Sequence, residues 1–246
     1  MPLGFRPASL QYDARALGWC GGDDGAGACG RGRIEDGRHL RVAALDALER
    51  LREGNRRFAA GTGKQEGLSL RDRRAELLAG QQPLAIVLGC SDSRVPAEIV
   101  FDQGLGDLFV IRVAGNVVAP SQIGSVEFAA ERFGTRLVVV LGHSRCGAVL
   151  ATLEELRRPD AGQSRNLRSI VDRIRPSVES LLSTELGRDP DALVREAVRA
   201  NVRASANHLR HGSEVLERLI ERDGLLVVGA EYSLETGVVQ VIDGVR

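Results

Sequence analysis

Leu84-Ala-Ile-Val-Leu-Gly-Cys90 and Leu137-Val-Val-Val-Leu-Gly-His143 share one plan: an apolar run, a glycine, then a side chain able to ligate a metal. Apolar runs this short read as strands buried on both faces. Leu108-Phe-Val-Ile111 and Leu225-Leu-Val-Val228 read the same way. Helical segments separate them, notably Gly124 to Phe133 and a long stretch from about Thr152 to Arg222. The alternation predicts an α/β fold, a single domain with a central four-stranded parallel sheet and helices on both faces. Val238 to Ile242, reached through a turn after Tyr232, is expected to add an antiparallel edge strand.

Upstream of the first strand, Val42, Leu45, Leu48, Leu51 and Phe58 recur at threes and fours, so His39 to Ala60 reads as an amphipathic helix. A second helix is expected over Arg71 to Ala79, closed by Gly80. Residues 1–38 read as a flexible Gly-rich tail, with seven glycines between Gly18 and Gly32 and too little apolar surface to offset ordering. Cys20 and Cys29 fall in that tail without the spacing of a zinc knuckle. The folded domain is therefore expected over 39–246.

The 33 basic and 33 acidic residues cancel, which argues against a nucleic-acid binder or a protein held to membranes by bulk charge. No uncharged apolar stretch approaches the roughly 20 residues of a membrane span. Four cysteines in 246 residues do not make a disulfide scaffold, and a cytoplasmic protein is the expectation.

In open parallel sheets, sites form beyond the carboxyl ends of the strands. If the two glycine-ended strands are neighbours, Cys90, His143 and Cys146 converge. Two thiolates and an imidazole suit Zn²⁺, and three protein ligands with a fourth position available is the pattern of catalytic zinc. Asp92, two residues past Cys90, can face the same metal or a bound water. Arg94 can hold that carboxylate in a charge-assisted pair. The dyad thus offers two states, Asp92 on the metal or Asp92 on Arg94.

Cys90-Ser-Asp-Ser-Arg94 with His143-Ser-Arg-Cys146-Gly resembles the zinc signature of the β-class carbonic anhydrases. The resemblance extends through Glu53-Gly-Asn-Arg-Arg-Phe58, Gly80-Gln-Gln-Pro83, Phe101-Asp-Gln-Gly-Leu-Gly-Asp107, Arg112-Val-Ala-Gly-Asn116 and Tyr232-Ser-Leu-Glu-Thr-Gly237, in the family's order. It implies reversible hydration of carbon dioxide to bicarbonate by zinc-activated hydroxide. Cys90, His143 and Cys146 would ligate zinc, with Asp92 and Arg94 as gating and orienting dyad. Gln81 falls where the family places a substrate-binding glutamine supplied across a dimer interface. Phe109 and Ala114 match positions lining the carbon dioxide pocket, and Phe128 stands where many members have a tyrosine. The family's N-terminal helices wrap a partner subunit, so a homodimer or dimer of dimers is expected. Some members bind inhibitory bicarbonate near a tryptophan three residues before the first cysteine ligand. Val87 stands there instead, although Arg112 matches that site's arginine, which argues against inhibition through that pocket.

Taken singly, a cysteine after a buried strand is a small core residue, and Asp92–Arg94 a structural ion pair. Phe109 and Phe128 also suit core packing. His208 and His211, at helical spacing, suit a solvated face better than a second metal site. Three rival functions share parts of this pattern: carbonyl sulfide or carbon disulfide hydrolysis on the same scaffold, Cys146 as a low-pKa nucleophile at a helix start, and a zinc-stabilised assembly module without catalysis.

Overall fold

Five strands lie in the order β2-β1-β3-β4-β5 in the computed structural model, which describes residues 33–63, 70–158 and 164–245. They are β1 Ala85–Gly89, β2 Leu108–Arg112, β3 Leu137–His143, β4 Leu226–Tyr232 and β5 Val239–Asp243. The first four are parallel and β5 runs antiparallel on β4, the expected arrangement. Eight α-helices accompany them among the described residues: α1 Arg33–Ala59, α2 Leu70–Glu76, α3 Ala97–Val100, α4 Pro120–Arg132, α5 Gly147–Arg157, α6 Arg165–Val178, α7 Pro190–His211 and α8 Glu214–Arg222.

The strand runs are apolar throughout because each covers two cores. Ala85 and Val87 of β1, with Leu137, Val139 and Leu141 of β3, meet Ala44, Leu48 and Leu51 of α1. Ile86, Leu88, Val138 and Val140 face the other way, onto Val126 and Ala129 of α4 and Val202, Ala206 and Leu209 of α7. Period-two alternation of side chains thus distributes one run between two helical layers. A third cluster caps the carboxyl ends of the strands, where Val117, Val149, Ile174 and Val198 surround Cys90 and Cys146.

Several boundaries differ from those read in the sequence. Helix α1 starts at Arg33, so residues 33–38 belong to it; the rest of the expected tail, with Cys20 and Cys29, lies outside the described residues. Only one face of α1 packs on its own sheet, leaving Val42 and Leu45 exposed. The expected long helical stretch from Thr152 is divided. Ser164, Asp189 and Ser213 each accept backbone N–H bonds as helix caps for α6, α7 and α8. Between α6 and α7 the chain makes two 3₁₀ segments, Glu179–Ser183 and Glu185–Arg188. No helix among the described residues is long and apolar enough to cross a membrane.

Candidate metal centre

Strands β1 and β3 are direct neighbours with Gly89 opposite Leu141, so Cys90 and His143 leave the sheet side by side. Gly142 permits this, because a Cβ there would collide with Val202 on α7. The chain turns at Arg145, with φ of 54°, and Cys146 becomes the N-cap of α5. Ser144 fixes the turn: its hydroxyl donates to Glu235 Oε2 at 2.7 Å and accepts from the Leu234 N–H at 3.0 Å.

Cys90, His143 and Cys146 come together, all three buried, with one ligand atom from each within 4.8 Å of the others. The two Sγ atoms are 3.9 Å apart. A tetrahedral ion with Zn–S bonds of about 2.3 Å would separate two sulfurs by roughly 3.8 Å. His143 is fully buried, and its Nδ1 lies 2.9 Å from the Ser144 carbonyl oxygen. A carbonyl only accepts, so Nδ1 carries the proton and Nε2 keeps its lone pair. Nε2 has no hydrogen-bond partner. A buried orphan acceptor beside two thiols fits a metal ligand, and the soft donor set fits zinc.

The thiols share their protons unequally. Cys146, together with a weaker hydrogen bond from the Gly115 N–H, pulls Cys90 well below the ordinary thiol range against the effect of burial. Cys90 and burial push Cys146 far up. A thiol so held is a poor free nucleophile, which opposes the thiol-catalysis reading.

Asp92 stands beside the three ligands and outside their cluster. Its Oδ1 accepts from Arg94 Nε at 2.9 Å and from the Arg94 backbone N–H at 3.0 Å, and its Oδ2 accepts from Nη2 at 2.7 Å. Oδ2 is 3.8 Å from His143 Nε2. The Arg94 hydrogen bonds hold the carboxyl far below the usual carboxylate range, outweighing desolvation. Of the two states of the dyad, this is the one with Asp92 on Arg94.

Two supports were not legible as site residues. The Gly115 N–H donates to Cys90 Sγ at 3.3 Å, and Asn201 Nδ2 of α7 donates to the Gly115 carbonyl at 2.8 Å. Gly115 has φ of 70°, and a Cβ there would press on Ile174 and Ala148. The signal for Asn201 was present: a polar residue on the apolar stripe of α7, between Val198 and Val202. Arg112, at the end of β2, donates to the Cys90 and Asp92 carbonyl oxygens and so pins the ligand loop. Val87 is fully buried in the core beneath α1.

The pocket candidates divide. Ala114 directly precedes Gly115 and the Cys90 contact. Gln81 is exposed and precedes β1, whereas Cys90 follows it, so the strand's length, about 17 Å, lies between them. Phe109 and Phe128 pack with Phe133, with centroids 5.6 to 6.3 Å apart, on the β2 and α4 flank, and Phe128 is 54 % exposed. His208 and His211 are exposed and outside the metal cluster.

A family model described as carbonic anhydrase matches residues 85–239. Carbonic anhydrase 2 of Mycobacterium tuberculosis is 42% identical over 196 residues, covering 80% of this chain and 90% of the relative. The crystal structure of the β-carbonic anhydrase CafA of Aspergillus fumigatus superposes with a TM-score of 0.62 at 27% identity, covering 71% of this chain and 84% of that one. For one of two tetrameric β-carbonic anhydrases from Sordaria macrospora the TM-score is 0.65 at 23% identity, covering 85% and 98%, a likeness of fold.

Proposed function

The chain belongs to the β-class carbonic anhydrase family, and on that premise we propose that it hydrates carbon dioxide reversibly to bicarbonate and a proton at the Cys90–His143–Cys146 centre. The observation that carries this reading is a three-ligand cluster with Asp92 turned away onto Arg94, which leaves a fourth direction for water. A closed structural site would engage a fourth protein ligand.

Cys90, His143 and Cys146 would hold Zn²⁺, which when bound supplies a Lewis acid that makes water nucleophilic near neutral pH. The chain's own residues do the rest. Asp92, kept ionised by Arg94, accepts the hydrogen bond of the attacking oxygen and aims its lone pair at carbon dioxide. Arg112 holds the backbone of that loop so that Asp92 keeps its place. Ala114 offers apolar wall beside the centre.

Gln81 stands a strand's length from its own chain's centre, and Phe109 and Phe128 pack together on the β2 and α4 flank, so we assign all three to the site of a second copy. The exposed Val42 and Leu45 of α1, with Phe128, suit a homodimer or dimer of dimers.

The test is stopped-flow carbon dioxide hydration from about pH 6.5 to 9, with zinc measured on the same sample. Zinc near one per chain and a rate rising with pH is expected. Full zinc without hydration at any pH would overturn the reading and send the search to carbonyl sulfide and carbon disulfide.

A further inference from the structure

On the flank away from α1, a cavity of about 740 Å³ opens between the loop after Asn116, α6 and α7. Its size lies within the range of small-molecule pockets and far exceeds what carbon dioxide or bicarbonate needs. Val117, Val118, Ile123 and Pro176 supply apolar wall. Arg173 and His208 stand among the lining residues, and no aspartate or glutamate does. Asp172, next to Arg173, faces Arg175 at 3.9 Å. Arg173 spends only Nη1 on its own helix, donating to the Ser169 carbonyl at 2.6 Å.

The first turn of the 13-residue α4 also opens here through Ala119 and Pro120, and Ala119 gives it no side-chain cap. That end of a helix favours negative charge. The independent observation is Ser205. It sits on the buried stripe of α7, only 6 % exposed, and it lines the cavity. Its hydroxyl makes no hydrogen bond to any described residue. That oxygen keeps contact with solvent and so faces the cavity, where an oxygen of a bound molecule can pair with it.

We propose that this cavity binds a small organic carboxylate with an apolar body. The carboxylate would meet Arg173, His208 and the first turn of α4, with the Ser205 hydroxyl as a further donor, while the body lies on Val117, Val118, Ile123 and Pro176. The site is separate from the metal centre. Its wall nevertheless continues the Gly115–Asn116 turn, and Val117 packs in the same cluster as Cys90 and Cys146.

The experiment is a ¹⁹F NMR titration of the zinc-loaded full chain with 4-fluorobenzoate, with 4-fluorobenzamide as the neutral control. Saturating azide occupies any open metal position during both titrations. Saturable binding of the benzoate that persists in azide is expected, with the benzamide at least about tenfold weaker. Arg173→Gln, an exposed substitution that leaves the core intact, should weaken the benzoate about tenfold, and Ser205→Ala about threefold. Binding lost in azide, equal affinity for acid and amide, unchanged affinity in Arg173→Gln, or no saturation up to the solubility limit would each overturn the proposal. None of these results bears on carbon dioxide hydration, which is read separately.

Discussion

Both carboxylate oxygens of Asp92 are turned to the guanidinium of Arg94, at 2.9 and 2.7 Å, in a two-point grip between residues only two positions apart. A lysine reaches one oxygen at a time and cannot reproduce the planar fork. Arg94→Lys should therefore lower kcat/KM about tenfold, and Asp92→Asn about a hundredfold. Zinc content should stay unchanged in both, since neither side chain belongs to the ligand cluster. Metal analysis beside stopped-flow rates checks this, and zinc loss in either variant would reassign the dyad to metal retention.

Metal loading should report how the thiols share protons. With Cys90 pulled down and Cys146 pushed up, the pair carries one proton across the neutral range. Zn²⁺ uptake should release close to one proton from the thiols, nearly constant from pH 7 to 9. Two independent thiols of ordinary pKa would instead release nearly two at pH 7 and about a half at pH 9. Calorimetry in buffers of different ionisation enthalpy separates the two patterns.

Gly115→Ala combines a left-handed backbone with a Cβ set 2.8 Å from Ile174 Cδ1. A loss of about 2 kcal/mol, or a Tm lowered by about 4–8 °C, is expected. Asn201→Ala leaves the buried Gly115 carbonyl without its donor and should cost about 1–3 kcal/mol. In the cobalt-substituted protein both changes should also shift the thiolate-to-metal charge-transfer band, because the N–H on Cys90 moves. An unmoved band would make Gly115 and Asn201 structural only.

Assignment of Gln81 to a second copy can be tested with a tagged hybrid of Cys90→Ser and Gln81→Ala chains. If Gln81 serves the partner's site, the hybrid dimer holds one complete site, though neither parent homodimer does. Activity no greater than that of the Gln81→Ala parent would return Gln81 to a role in its own chain.

The strands were legible because β1 and β3 are apolar on both faces, and a run without polar interruption has few other readings. Strand β4 was read short because Gly229 and Glu231 break its pattern. Glu231 is half-buried against Arg199 of α7 at 2.7 Å, a partner 32 positions away that no local pattern reveals. The division after Thr152 was written in Asp189-Pro190 and Ser213, whose capping chemistry is local, but the apolar spacing through that region masks it. Among the site residues, side chains with distinctive chemistry could be read directly. The Gly115 donor could not, because a backbone N–H carries no signature of its own. Asn201 stood out only as a polar residue on an apolar stripe, and its partner, the Gly115 carbonyl 86 positions away, is supplied by the fold.

Cys90 and Cys146 lie 56 positions apart, and the chain between them travels outward to make edge strand β2 and helix α4 before returning. An ion held by both sulfurs would therefore act as a clasp that closes this excursion into a ring. Denying the unfolded chain its open forms in this way is worth up to about 4 kcal/mol, by analogy with a cross-link of similar span. Chelation would then unfasten the sheet's outer flank as well as silence the chemistry, and the two losses should arrive together.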